Sequence, residues 1–169
     1  MVAKGQAAWK LRFYKDLETG AVPMRQWLDA LLDEDEAKAV AVTEALKRVL
    51  AVHGTYVCES EWGKNLGDGL YEFRIRHPAP TIANMFALPG DAAARSDTSE
   101  KKAPKVPAAI TLRIFFTTYG ERVILLCSGF DKARDPHKGR QQREITAARR
   151  MVTKAHAGLR ARLAEQKRR

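Results

Sequence analysis

Apolar and polar side chains alternate along two stretches of this chain, and this pattern predicts two neighbouring β-strands. Residues 69–76 (GLYEFRIR) and 110–117 (ITLRIFFT) carry aliphatic or aromatic residues at every second position. A third stretch, 122–129, is apolar on both faces near its start, as a central strand is. Residues 119–121 separate the last two stretches and predict a tight hairpin. We therefore predict an antiparallel meander of three strands.

The same alternation places arginines beside one another on one face of this sheet. Arg74 and Arg76 point away from the apolar residues of the first strand, and Arg113 does so in the second. If the apolar faces pack on helices, these three arginines gather on the open face, where few acids oppose them. Lys132 and Arg134 follow at the end of the third strand. A cationic sheet face of this kind suits a polyanion.

The chain before the meander predicts one further strand and two helices. Residues 8–14 alternate apolar and polar positions, which indicates a half-buried strand. Pro23 suits the first turn of a short amphipathic helix, and Asp33 or Asp35 can cap a second one. Gly54 then provides a natural helix end. The two helices form a hairpin whose apolar stripe is expected to cover one face of the sheet.

The remaining segments complete a single α+β domain over residues 1–169. Residues 55–68 are predicted to be a loop, and 78–108, rich in proline and small residues, a flexible insertion between the second and third strands. This insertion is a lid, a partner-binding loop or a tolerated excursion. A basic C-terminal helix follows, and residues 164–169 are expected to fray. The order is β-α-α-β-β-β-α, an antiparallel sheet packed on a helical hairpin.

Positive charge is concentrated at the C-terminal end of the chain. Residues 132–169 hold 13 Lys or Arg against three Asp or Glu, so this segment accounts for the whole net charge of +10. A neutral globule with a strongly basic segment points to RNA, DNA or an acidic partner. The alternative is an ordinary solvated helix face.

Several kinds of site and location are disfavoured by the sequence. No window of about 18 residues is uninterruptedly apolar, so no membrane span is expected. The first residues lack the apolar centre of a signal peptide, which favours a cytoplasmic location. Cys58 and Cys127 are too few for a disulfide framework, and the four histidines are scattered. We therefore expect no metal site and no cofactor.

Short motifs in a fixed order give the chain a resemblance to a known family. They are residues 9–14 (WKLRFY), 23–32 (PMRQWLDALL), 69–76, 112–134 (LRIFFTTYGERVILLCSGFDKAR) and 144–150 (EITAARR). In this order they resemble the RelE/ParE superfamily of toxins from type II toxin–antitoxin systems. The likeness is greatest to the HigB-like, phage-derived branch.

The resemblance implies a ribosome-dependent mRNA endonuclease that inhibits translation without a metal ion. In such toxins the 2′-hydroxyl attacks the adjacent phosphate, and cations stabilise the charge that develops. The implied partners are mRNA, the ribosome with its rRNA, and a cognate antitoxin that carries a helix-turn-helix domain. ParE-type relatives inhibit gyrase instead, so the alternative is a non-enzymatic inhibitor on the same fold, directed at gyrase or at another host factor.

The resemblance also assigns roles to individual positions. Four residues match the places where RelE-like toxins keep catalytic cations: Arg74, Arg113, Lys132 and Arg134. Five further cations are expected to bind RNA: Lys64, Arg76, Lys138, Arg140 and Arg143. Glu72 stands where RelE has a lysine, and the C-terminal segment lacks the tyrosine that RelE-like toxins place there. His137 is the one histidine near this set and can act as an acid or a base.

Overall fold

The structure is a computed structural model that describes residues 8–91 and 109–169. Its strands are β1 (Lys10–Phe13), β2 (Gly63–Gly67), β3 (Leu70–Ile75), β4 (Leu112–Thr118) and β5 (Val123–Asp131). Its α-helices are α1 (Pro23–Glu34), α2 (Glu36–Ala45), α3 (Ala79–Met85) and α4 (Lys138–Gln166). A π-helical turn (Leu46–Leu50) and a short helical turn (Ala51–His53) continue α2, and a 3₁₀ helix (Gly54–Glu59) follows.

The five strands form one sheet in the order β1-β5-β4-β3-β2. The predicted meander is confirmed, because β3 pairs antiparallel with β4 and β4 with β5. The predicted N-terminal strand joins the outer side of this meander, where Lys10 lies opposite Val123 and β1 runs parallel to β5. The protein is therefore an α+β domain with a mostly antiparallel sheet.

Helices cover both faces of this sheet, so the open face expected from the sequence is largely covered. Phe73 and Ile114 lie in the larger core beneath α1 and α2, as the alternation predicts. On the other face, Phe115 of β4 packs with Ala148 and Val152 of α4 in a second, smaller core. The apolar stripe of α4 thus takes up much of the face that we expected to be free, because burying Phe115 removes a large apolar surface from water.

The predicted helical hairpin is present, and its ends follow the expected chemistry. The Asp35 side chain accepts a hydrogen bond from the Lys38 N–H at 3.2 Å and caps α2. Gly54 ends the helical run with a φ of 56°, and a Cβ at this position would lie 2.1 Å from an atom of Trp9. Only glycine combines that backbone conformation with such a close approach.

Residues 55–68 are not a loop, and this prediction is wrong. They contain most of the 3₁₀ helix and the whole of β2, which pairs antiparallel with β3. The sequence of β2, GKNLG, carries no apolar alternation, and a bulge lies between Asn65 and Gly67. Backbone pairing with β3, rather than side-chain burial, forms this edge strand. The insertion therefore lies between the third and fourth strands of the sheet.

The insertion and the C-terminal end are more regular than expected. Ala79–Met85 is helical, with Ile82 fully buried, so the first part of the predicted flexible segment 78–108 is a packed element. The part from 92 to 108 lies outside the described residues. Helix α4 continues through Gln166, beyond the predicted fraying point, because its last residues are good helix formers. Within the described ranges, no helix has the length and apolar character needed to cross a membrane.

A buried arginine holds the segment after α3 against the hairpin. The guanidinium of Arg48 donates from Nη1 to Asp91 Oδ2 at 2.5 Å and from Nη2 to Asp91 Oδ1 at 3.1 Å. It also donates to the Phe86 carbonyl at 3.1 Å and pairs with Glu44. Arg48 lies on the π-helical turn, a local irregularity of the helix. The contact fixes Asp91, the last residue that the structure describes before residue 109.

We expect this contact to make stability depend on acid pH. The Arg48 guanidinium lowers the pKa of Asp91 from 3.8 to about 2. The stabilising contribution of the ion pair between Arg48 and Asp91 is therefore present above pH 3.8 and is lost as the pH falls toward 2. Asp91→Asn should lower the melting temperature at neutral pH. The difference in melting temperature between the wild type and this variant should become smaller below pH 3.8.

Thermal unfolding followed by circular dichroism across this pH range tests the expectation. Asp29→Asn is the matched control, because Asp29 is exposed on α1 and has no ion pair among the described residues. If the difference in melting temperature between the wild type and Asp91→Asn stays constant down to pH 2, the ion pair does not stabilise the fold.

Candidate nucleic-acid interface

Two arginines lie directly opposite each other on the face of the sheet that α4 partly covers. The β3–β4 register pairs Arg74 with Arg113, which confirms the adjacency predicted from alternation. Arg113 is only 5% exposed, whereas the side chain of Arg74 is 23% exposed. Like charges directly across a strand pair destabilise a sheet, so this pair requires a nearby anion.

Glu72 supplies this anion from the same face of β3. Its carboxylate is fully buried, and Oε1 accepts a hydrogen bond from Arg74 Nε at 2.7 Å while lying 3.7 Å from Arg113 Nε. The second oxygen, Oε2, accepts a hydrogen bond from Gln141 Nε2 of α4 at 3.2 Å. We refer to Glu72, Arg74, Arg113 and Gln141 as the arginine–glutamate cluster. The face is therefore less cationic than the sequence predicted.

The environment of Arg113 combines burial with several charges. Burial lowers the pKa of the Arg113 guanidinium, Glu72 raises it, and Arg74 and Arg76 lower it again. Nη1 donates to the Leu112 carbonyl at 3.2 Å, but Nε has no hydrogen-bond partner among the described residues. A buried donor without an acceptor is rare in folded proteins and costs free energy. Arg113 Nε thus faces the Glu72 carboxylate at 3.7 Å without a hydrogen bond of its own.

Two hydroxyl groups, one just before β4 and one in β5, are also buried without a hydrogen-bond partner among the described residues. Thr111 Oγ1 and Ser128 Oγ are buried, and neither has a hydrogen-bond partner in residues 8–91 and 109–169. Thr111 precedes Arg113 by two positions, so the strand period puts it on the same side of the chain. Ser128 lies opposite Phe115 in the β4–β5 register. The face around Arg113 therefore holds several unsatisfied donors.

Further cations surround the cluster at the exposed margin of the sheet. Lys64 lies opposite Glu72 in the β2–β3 register and is exposed, and Arg76 is exposed just after β3. Lys132 follows β5, and its N–H donates to the Thr111 carbonyl at 2.9 Å. The side chains of these three cations form no ion pair with any residue that the structure describes.

The first turns of α4 add three of the predicted RNA-binding cations. Lys138 and Arg143 are exposed, whereas Arg140 donates to Glu144 Oε1 at 2.8 Å and lies 3.7 Å from Asp135. The hydrogen bond between Gln141 and Glu72 fixes these turns beside the sheet. We define the cationic rim as Lys64, Arg76, Lys132, Lys138 and Arg143.

Arg134, the fourth predicted catalytic cation, is not part of this group. It forms an ion pair with Glu34 at the end of α1, on the side of the helical hairpin. His137 is exposed and precedes α4; its carbonyl accepts a hydrogen bond from the Arg140 N–H at 3.0 Å, and its imidazole makes no hydrogen bond among the residues described. Tyr71, which belongs to the opposite face of β3, stacks on Phe116 with ring centroids 5.3 Å apart. The structure thus brings Arg74 and Arg113 together and puts Lys64 opposite Glu72 on the neighbouring strand.

Sequence reasoning missed the polar residues that organise this site. Glu72 shares a face with Arg74 by simple alternation, so their pairing was a visible alternative. Gln141, Thr111 and Ser128 are common polar residues with no distinctive spacing, and only the packing of α4 on the sheet reveals them. Comparison of the chain with family models, with curated proteins and with solved structures found no match.

We expect Glu72 to be essential for stability. Glu72→Ala should lower the free energy of unfolding by about 3–5 kcal/mol, because it leaves the buried charge of Arg113 without its counter-ion. Lys64→Ala, at the opposite position of β2, should change it by less than about 0.5 kcal/mol because Lys64 is exposed. Urea unfolding of both variants measures the difference.

A second variant separates charge from packing in this experiment. Glu72→Leu combined with Arg113→Met removes both buried charges and keeps apolar volume, so it should be more stable than Glu72→Ala alone. Equal destabilisation in the single and double variants would show that the arginine charge is not the cause.

Proposed function

We propose that this protein is an endoribonuclease of the RelE/ParE superfamily, similar to HigB-type toxins, that cleaves mRNA on the ribosome. The observation that carries this proposal is the pairing of Arg74 with Arg113 on one sheet face, bordered by the cationic rim. The α+β fold, with a helical hairpin on one face and a basic helix on the other, supports it.

The chemistry requires charge stabilisation at a phosphate. The 2′-hydroxyl gives its proton to a base and attacks the adjacent phosphorus; the bond from phosphorus to the 5′-oxygen breaks, and the departing oxygen takes up a proton. Between bond formation and bond cleavage, negative charge grows on the phosphoryl oxygens. Arg74 lies opposite Arg113, and its side chain is partly exposed, so its guanidinium can reach a bound phosphate. Glu72 accepts a hydrogen bond from Arg74 and lies 3.7 Å from Arg113 Nε, so it positions Arg74 and neutralises part of the positive potential. In this mechanism the cationic rim binds the flanking phosphates.

The proposal includes the partners that such a toxin has. Exposed cations along α4, including Arg143 and Arg150, would contact rRNA through the phosphate backbone. A cognate antitoxin with a helix-turn-helix domain would neutralise the toxin in the cytoplasm.

A non-enzymatic inhibitor on the same fold is the second candidate, and two contacts favour it. Glu72 partly neutralises the arginine pair, and Arg134 is engaged by Glu34 rather than by the cluster. A surface of this kind can bind an acidic region of gyrase or of another host protein without cleaving RNA. The two candidates differ in whether transcripts are cut.

Mapping of transcript 5′ ends after induced expression in a bacterial host tests the nuclease. The wild type should produce new 5′ ends within translated reading frames, and Arg113→Ala should reduce them by about 100-fold or more because a charge-stabilising donor is lost. Arg12→Ala is the matched control, since Arg12 is exposed on β1 at the far edge of the sheet. Arg76→Ala tests the site through an exposed residue, so its folding should be unaffected.

The outcomes separate the candidates. Growth arrest without new 5′ ends would overturn the nuclease and favour the inhibitor, and accompanying DNA damage would point to gyrase. New 5′ ends that persist in both Arg113→Ala and Arg76→Ala would place the active site elsewhere.

The cationic rim predicts a salt dependence that purified protein can show. The logarithm of the binding constant for single-stranded RNA should fall linearly with the logarithm of the salt concentration. Lys64→Ala or Arg76→Ala should each reduce the magnitude of this slope by about 0.7. Arg12→Ala should leave the slope unchanged, because Arg12 is remote from the rim. Fluorescence anisotropy at several salt concentrations measures the slopes, and equal slopes in all variants would contradict the proposed interface.

A further inference from the structure

A cleft of about 440 Å³ lies at the other end of α4, away from the arginine–glutamate cluster. Its walls come from the segment after β1, the turn between β4 and β5, and the C-terminal half of α4. The residues that define it are Tyr14, Leu17, Tyr119, Leu125, Gly158 and Arg162. This volume falls within the range of ligand pockets in proteins, and the proposed RNA chemistry does not use it.

The interior of the cleft is mainly apolar and ends in exposed apolar side chains. Leu17 lines the cleft and is 80% exposed, and Phe13 and Leu125 line it as well. Tyr14 forms a buried part of the lining. Large apolar side chains clustered at a concave site are typical of surfaces that bind another apolar group.

The charges around the cleft leave a positive balance. The Lys154 ammonium donates to Asp16 at 3.0 Å and to Glu18 at 3.3 Å, so both acids at the border of the cleft are already paired. Lys15 and Arg162 form no ion pair within the described part of the chain. The exposed helix beyond them carries further arginines and lysines. An apolar cleft with a cationic border is complementary to an apolar group flanked by carboxylates.

We propose that this cleft binds an acidic polypeptide segment through apolar anchor side chains. An RNA backbone has no apolar group to fill the cleft, and the border repels a basic segment. The rise along α4 puts the cleft about 25 Å from Gln141, so a segment bound there leaves the cluster accessible. The inference goes beyond the proposed function, because it holds whether or not the protein cuts RNA.

Gly158 offers a way to block the cleft without disturbing the fold. A Cβ at this position would meet no atom within 4 Å, and a side chain in a helix interior is more favourable than glycine. Gly158→Leu should therefore occupy the cleft and keep or raise the melting temperature. Selection of short random peptides displayed on phage, with wild type as the target and Gly158→Leu for counter-selection, identifies cleft ligands.

The selected peptides should combine Asp or Glu with Leu, Phe or Trp. Their affinity, measured by anisotropy with synthetic peptides, should fall about tenfold or more in Gly158→Leu because the anchor can no longer be buried. Arg162→Glu should also weaken binding, and by more than Arg160→Glu, a matched charge change on α4 outside the cleft lining.

Three results would overturn the proposal. Peptides that bind Gly158→Leu as well as the wild type would place their site elsewhere. Enrichment of basic peptides, or of no peptides, would contradict the charge argument. The cleft would be assigned to RNA by two observations together. Single-stranded RNA would displace the peptide, and Gly158→Leu would bind this RNA more weakly than the wild type does.

Discussion

One buried carboxylate controls the electrostatics of the sheet face on which the arginines meet. Arg74 and Arg113 are opposite each other in the register, and like charges in this position destabilise a strand pair. Glu72 lies close to both guanidinium groups and offsets this repulsion. Without it, this register would bury Arg113 next to a like charge. The order of residues in GLYEFRIR thus supplies the arginine and its counter-ion on the same face.

The same carboxylate links the sheet to α4. Its second oxygen accepts a hydrogen bond from Gln141, while Ala148 and Val152 bury their side chains about two and three turns further along the helix. Farther along, His156 lies 3.1 Å from the Thr118 carbonyl. The polar contact fixes the start of α4, and the apolar contacts fix its course across the sheet. As a consequence, the rim cations on the sheet and those on the first turns of α4 belong to elements that this hydrogen bond joins.

Much of this arrangement follows from local sequence rules, and the rest depends on distant partners. The adjacency of Arg74 and Arg113 could be predicted, because strand alternation and a tight hairpin determine which residues share a face. The direction of Arg134 could not, because its partner Glu34 is 100 residues away in the chain. Strand β2 was missed because GKNLG has no periodicity and forms through backbone pairing. The covering of the second sheet face was also missed, although the stripe on α4 that covers it was visible.

The two ends of α4 present different chemistry, and this difference limits what each end can bind. At the N-terminal end, buried Arg113 and the exposed rim offer hydrogen-bond donors and positive charge, which suit phosphate groups. At the C-terminal end, the acids near the cleft are paired with Lys154, and the space between Tyr14 and Gly158 is apolar. Phosphate gains little from an apolar cleft, and an apolar anchor gains little from the arginine face. A single helix therefore separates the proposed RNA-binding surface from the proposed peptide-binding cleft, so the two proposals do not require the same residues.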